Sequence, residues 1–300
     1  MLRTSRFRLG LLVALVAALV LLSRPLIALG GADPAQSASQ TATVKPVSAS
    51  PDIPFRQSEV SSQEILFQLA NQSRAQAGVP TLVLNQGLSR AAQIHAQAML
   101  EKQQLSHQFR GEPSLMQRLA ATSDLQLDRA GENVAFDADA QRGHQHLMLS
   151  APHRANLLNP AYNVIGLGVV RDGDRLYIVE DFGHALPTYS SAEVKNRVAI
   201  AVNQMRREAK RALLERRDTL TTADAACSMA KADSLGTAQV QQLAQRSTVL
   251  TYTSMHPDTL PNEAERALST PSLHSLSVGA CYARTATYPT GAYWVVLELQ

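Results

Sequence analysis

Apolar positions along the chain change period several times, and each change predicts an element. Ile65, Leu66, Leu69 and Ala70 recur at helical spacing, and Gly78-Val79-Pro80 ends that pattern. A second helix is predicted after Asn85, with Leu88, Ala91, Ala92, His95, Ala98 and Met99 along one face. A short third helix fits Pro113–Ala121, and a fourth spans about 139–150, weakened by Gly143. The period then shortens to two. Asn163–Val170 and Arg175–Phe182 flank Asp172-Gly173, a hairpin turn signal. Helices first and an antiparallel hairpin last predict an α+β layer fold for residues 58–188.

The N-terminal pattern is different. Arg3, Arg6 and Arg8 precede an unbroken apolar run from Leu9 to Leu22, and Ala28-Leu29-Gly30 places small residues at cleavage positions. A helix of that length rises about 21 Å, short of the ~30 Å hydrocarbon core. Residues 1–30 are therefore expected to be a signal peptide, with an uncleaved anchor as the alternative. Either one places the rest of the chain outside the cytoplasm: secreted, periplasmic or on the cell surface. Membrane contact is expected only if the leader is retained as an anchor. Residues 31–57, rich in Ala, Ser, Thr, Gln and Pro without apolar periodicity, are expected to be a disordered tether.

Composition then excludes some classes. The 300 residues carry a net charge of +3, but four of the 28 basic residues lie in the first thirty positions, which hold no acid. The remainder is one charge to the acidic side, so no nucleic-acid partner is implied. A mean hydropathy of −0.11 excludes a polytopic membrane protein. No Gly-x-Ser-x-Gly elbow, phosphate-binding loop or dinucleotide fingerprint occurs. Ser106 beside His107 is no nucleophile–base pair by adjacency alone, and Glu180-Asp181 on one strand point to opposite faces.

Residues 192–300 read as a reduced second copy. Asn71-Gln72-x-Arg74 returns as Asn203-Gln204-x-Arg206, and Leu82, Leu88, Ala91 and Ala98 fall on Leu214, Leu220, Ala223 and Ala230 at the same offset. Ser150-Ala-Pro152 is then matched with Ser269-Thr-Pro271, Ile165-Gly166 with Val278-Gly279, and Leu176–Phe182 with Tyr293–Leu299. Chance matching of amphipathic helices is the alternative. The only two cysteines, Cys227 and Cys281, fall in this unit; in an exported chain one disulfide is the simplest expectation, with free or intermolecular thiols as the alternative.

Several short words stand in order: Asn71-Gln-Ser-Arg74, Ser106-His107, Gly131-Glu132-Asn133, Ser150-Ala-Pro-His153-Arg-Ala-Asn156, Ile165-Gly-Leu-Gly168 and Asp181-Phe-Gly183. Together they resemble the CAP superfamily, also called SCP domains, of cysteine-rich secretory, antigen 5 and pathogenesis-related proteins, in its bacterial exported form. The resemblance implies an α-β-α sandwich with a central cleft, followed here by a degenerate CAP-like lobe. It implies that His107, Glu132 and His153 line that cleft, with Asn133, Arg154 and Asn156 in support. The family's second acid, expected near Ser150, is absent, because no Asp or Glu occupies positions 140–151.

Two imidazoles and a carboxylate suit Zn²⁺ or another divalent cation, and three protein ligands with an open fourth position make a catalytic type of arrangement. The plainer reading has Glu132 bonding backbone at a tight turn, His153 capping a short helix and His95 hydrogen-bonded in the core. The leading expectation is a binding or scaffold module for a divalent cation, a small lipid or sterol, or an extracellular protein. A metal-dependent hydrolase of peptide or cell-envelope material, with Glu132 as general base, and a purely structural surface protein are the alternatives. Catalysis is the less favoured reading.

Overall fold

The computed structural model describes residues 53–300; the expected leader and residues 31–52 of the expected tether lie outside the described residues. The last five tether positions do not stay extended, because α1 (Ile53–Gln76) already begins at Ile53. Among the described residues no helix is long and apolar enough to cross a membrane.

The first lobe continues with β1 (Val83–Leu84), α2 (Gln86–Lys102), α3 (Leu115–Thr122), β2 (Gln126–Asp137), α4 (Ala140–Leu149), α5 (Ala151–Leu157), β3 (Val164–Asp172) and β4 (Arg175–Leu186). The strands form one sheet in the order β1-β3-β4-β2; β1 runs parallel to β3 and the other pairings are antiparallel. The α3 and α4 expectations are met within two residues, and the hairpin is found with its second strand running four residues further, to Leu186. The twelve-residue strand β2, which carries Gly131-Glu132-Asn133, was not predicted from its pattern: polar residues interrupt the apolar alternation along its first half, and the buried face is read only against β4.

The sheet separates two apolar layers. Leu66, Leu147, Ile165, Leu167, Ile178 and Phe182 pack on the side of α1, α4 and α5. Ala92, Ala96, Met99, Val134, Tyr177 and Val179 pack on the side of α2. Alternation along β4 sends odd and even positions to opposite layers, so the fold is an α-β-α sandwich. Gly166 and Gly168 permit close seating of α2, since a Cβ at either would run into the helix backbone at Leu88–Ser89 or Ala92–Gln93.

Arg74, fully buried, fastens α1 to the connection after α5. Its guanidinium donates to the carbonyls of Pro80, Leu157, Asn159 and Tyr162 at 2.6–3.1 Å. Asn71 adds a reciprocal pair with the Leu82 backbone.

The second lobe holds α6 (Ser191–Glu208), β5 (Glu215–Arg216), α7 (Leu220–Ala232), α8 (Ala238–Ala244), β6 (Thr248–Ser254), α9 (Glu263–Leu268), β7 (Ser275–Ala283) and β8 (Ala292–Leu299). Its sheet runs β5-β7-β8-β6, again with one parallel edge pair. Arg206 repeats the guanidinium staple on Ala212, Leu268, Thr270 and Leu273, and Asn203 repeats the pair with Leu214. These bonds shift part of the register read from sequence. Leu157, Asn159 and Tyr162 correspond to Leu268, Thr270 and Leu273, so α9 stands in the place of α5 and Ser269-Thr-Pro271 does not match Ser150-Ala-Pro152. Strand pairing likewise sets Leu276 opposite the place of Ile165, which moves Gly279 onto Gly168. The reason is that backbone acceptors, not side-chain identities, fix this connection.

Cys227 on α7 and Cys281 on β7 form the expected disulfide, closing 54 residues and leaving no free cysteine among the described residues. Reduction is expected to cost the second lobe about 4 kcal/mol in the chain-entropy account, read as a lowered thermal midpoint that returns on reoxidation. Arg74→Ala and Arg206→Ala are each expected to lose roughly 3 kcal/mol or more in denaturant unfolding, because four buried carbonyls lose their donor.

Candidate functional site

The side chain of Glu132 points from β2 into the α2 layer, where its carboxylate is only 4% exposed. Oε1 accepts from His107 Nδ1 at 2.9 Å, and Oε2 accepts from Arg118 Nη2 at 2.7 Å. The same Arg118 nitrogen donates to the His107 carbonyl at 3.1 Å, so a helical residue of α3 fixes both the acid and the loop carrying the histidine. Glu132 therefore sits on a strand with a side-chain partner on each oxygen, not at a tight turn bonding backbone.

Behind this pair lies His95, fully buried on α2. Its Nε2 faces the Ser106 carbonyl at 2.8 Å, and its Nδ1 faces Glu112 Oε1 at 2.6 Å. A carbonyl can only accept, so Nε2 carries a proton, and a second proton is shared between Nδ1 and Glu112. Glu132 Oε2 lies 3.9 Å from this ring and Glu112 lies 3.5 Å from Arg118. His95 is thus a hydrogen-bonded core histidine as expected, yet it also belongs to the charge network of the site. Arg118 and Glu112 escaped the sequence reading; the signal available was an acid ahead of a short amphipathic helix and an arginine within it, which by itself describes a solvated face.

His153 lies on α5, inside the helix and not at its cap. Burial, and then the charge of nearby His107, lower its pKa below the ordinary imidazole value, so it is neutral at pH 7. Asn133 and Asn156 position it. Asn133 Nδ2 donates to the His153 carbonyl and to Glu180 Oε2, each at 3.1 Å; Asn156 Nδ2 donates to the Glu132 carbonyl and Asn133 Oδ1, also at 3.1 Å. Gly131 leaves the room that Tyr162 and Asn156 occupy, since a Cβ there would collide with the Tyr162 hydroxyl. Arg154 turns away to the Met148 carbonyl at 2.8 Å and ties the rim.

Two further acids are buried behind the site. Asp181 stands opposite Glu132 across β2 and β4 with no donor on either oxygen. Burial, and then the Glu132 charge, push its carboxyl well above the usual range, so it is held neutral. Glu180 faces the other layer; burial raises it to about 7, with the Asn133 hydrogen bond pulling the other way. Glu180 and Asp181 do face opposite layers, as alternation requires.

The residues do not fit a metal. Among the described residues no three His, Cys, Asp or Glu side chains are placed to hold one. The Arg118 guanidinium already occupies the cation position beside Glu132 and would repel an ion bound there. A carboxylate paired on both oxygens also makes a poor general base.

Arg118→Ala is expected to cost about 3 kcal/mol of stability, because Glu132 is left buried without its main counterion, whereas His107→Ala, with the ring 59% exposed, is expected to stay within about 1 kcal/mol. Paired denaturant titrations check this ordering. Glu180 and Asp181 bind protons more tightly folded than unfolded. Their contribution is complete below about pH 4 and falls as pH rises toward and through their raised values. The thermal midpoint is expected to drop between pH 5 and pH 8, and Glu180→Gln to flatten that slope.

Part of the first lobe matches a known family. Residues 67–182 match the sequence model of the cysteine-rich secretory protein family, CAP. The uncharacterised protein YkwD of Bacillus subtilis is 32% identical over 114 residues, covering 36% of this chain and 42% of that protein. A solved extracellular protein containing an SCP domain from Bacillus anthracis is 27% identical with a TM-score of 0.42, covering 47% of this chain and 45% of the other. The solved structure of Na-ASP-1 covers 80% of this chain and 88% of its own at 7% identity, with a TM-score of 0.42. The chain spans less than half the length of the two bacterial relatives. The ordered words, the α-β-α layers and the family match coincide on one stretch of chain: residues 67–182 are a CAP domain of the cysteine-rich secretory protein family.

Proposed function

We propose that this chain is an exported CAP-domain binding module, not a hydrolase, and that its first lobe takes a small hydroxyl-bearing ligand, such as a lipid or sterol headgroup, between His107 and His153. One observation carries the reading: both oxygens of Glu132 are engaged, one by Arg118 and one by His107. The acid therefore orients an imidazole and is not free to ligate an ion or activate water. With His107 Nδ1 donating to Glu132, its Nε2 is left for a ligand, and the neutral His153 ring offers a donor and an acceptor. A hydroxyl both gives and takes a hydrogen bond, which suits that pair. The Cys227–Cys281 disulfide supports an oxidising, extracytoplasmic location.

The second lobe, in this proposal, is a degenerate copy of the first. It keeps the guanidinium staple and the strand order but has lost the cleft residues. Ala264 occupies the place of His153 by the staple register, and Val249 the place of Glu132 by the strand register. It serves packing or protein contact.

Organic extraction and mass analysis of the purified full chain, beside the His107→Ala/His153→Ala double variant, tests the ligand. A lipid or sterol retained by the wild type and lost from the variant is expected. Identical extracts, or a Zn²⁺-dependent rise in the thermal midpoint that the double variant abolishes, would overturn the reading.

A further inference from the structure

Beyond its contacts with the first lobe, the second lobe carries a surface that the first lacks. Both lobes end their first helix on the same turn: the backbone N–H groups of Val79 and Arg211 donate to the carbonyls of Arg74 and Arg206 at 3.0 and 2.8 Å. Positions 207–217 nevertheless hold five basic and two acidic residues, whereas the corresponding positions 75–85 hold no charge. Arg207, Lys210 and Arg211 are exposed, and among the described residues no acid lies within ion-pair distance of them. The acids of this stretch are engaged elsewhere: Glu208 accepts from Gln204 Nε2 at 2.7 Å, and Glu215 pairs with Arg217 at 2.6 Å. The dipole of α6 does not account for the cations, because α1 closes the same turn with Ala75, Gly78 and Val79. Lys210 also stands at φ +54°, the left-handed position that Gly78 fills at φ +70°. That region favours glycine, so the lysine holds its charge there against a backbone cost.

Apolar surface adjoins these cations. Ile200, Asn203 and Arg207 share one face of α6 and form an open groove with Leu213 and Arg216. Ile200 is 66% and Leu213 53% exposed, in the places of polar Gln68 and Thr81. An apolar pair bordered by unpaired cations matches a surface that offers anions above hydrocarbon. A free phosphate or a soluble polyanion would engage the cations and leave Ile200 and Leu213 in water. We propose that this corner of the second lobe docks on an anionic phospholipid bilayer, with Arg207, Lys210 and Arg211 on lipid phosphates and Ile200 and Leu213 at the acyl boundary. The contact belongs to the folded lobe, independent of the leader, and needs no ligand in the first lobe. Each cation at such a surface strengthens partitioning about fivefold, and salt weakens it.

Amine acetylation footprinting of the full chain tests the surface, with Lys210 as reporter and the exposed Lys102 and Lys231 as internal references. The ratio of rates isolates the patch even where the leader itself binds lipid. Vesicles of roughly one part phosphatidylglycerol to two parts phosphatidylcholine are expected to slow Lys210 selectively, whereas pure phosphatidylcholine is not. Arg207→Gln/Arg211→Gln is expected to raise the half-protecting lipid concentration about twentyfold. Ile200→Gln/Leu213→Thr, which installs the first lobe's residues, is expected to raise it at least about fivefold. Equal Lys210 reactivity with both vesicle types, protection unchanged in either double variant, or the same protection by soluble polyphosphate would refute the docking surface.

Discussion

A guanidinium carries five N–H donors and a permanent charge, and it can be buried only where acceptors converge on it. Arg74 meets that condition with four carbonyls from two stretches of chain, and Arg206 does the same in the second lobe. Each staple binds the first helix of its lobe to the segment that leads into the central hairpin. In the first lobe that segment follows α5, the helix bearing His153, so the position of that histidine depends on an arginine of α1. Losing either arginine would strand several buried carbonyls at once.

The site shows the same accounting at shorter range. Glu132 is buried on a strand, and a carboxylate there needs compensation. Arg118 supplies most of it and His107 the rest, with the His95–Glu112 pair behind. Asp181, lacking any donor, is accommodated only as the neutral acid. Arg118 and Glu132 are thereby paired internally, and the exposed part of the cluster is the His107 ring.

Joining two such lobes in one chain creates a boundary that neither has alone. The second lobe covers the start of β2, an edge strand whose exposed backbone groups would otherwise be open to pairing. Arg284 holds that cover at the α3 end, and the His256 bond to Asp128 adds a contact at the other.

The sequence by itself determined the helical periods of α1 to α4, the β3–β4 hairpin around Gly173, the disulfide partners and the ordered words that identify the domain. These are local or family signals: a period, a turn residue, a cysteine count, a motif. It also marked Asn203 and Arg206 as echoes of Asn71 and Arg74. Tertiary structure alone decided what Glu132 does, because its partner Arg118 lies on a separate helix and no spacing rule links a strand glutamate to a helical arginine. It alone revealed β2, whose burial is defined by pairing with β4. It also corrected the register of the second lobe from Ser269-Thr-Pro271 to the carbonyls of Leu268, Thr270 and Leu273, since backbone acceptors carry no side-chain signature in the sequence.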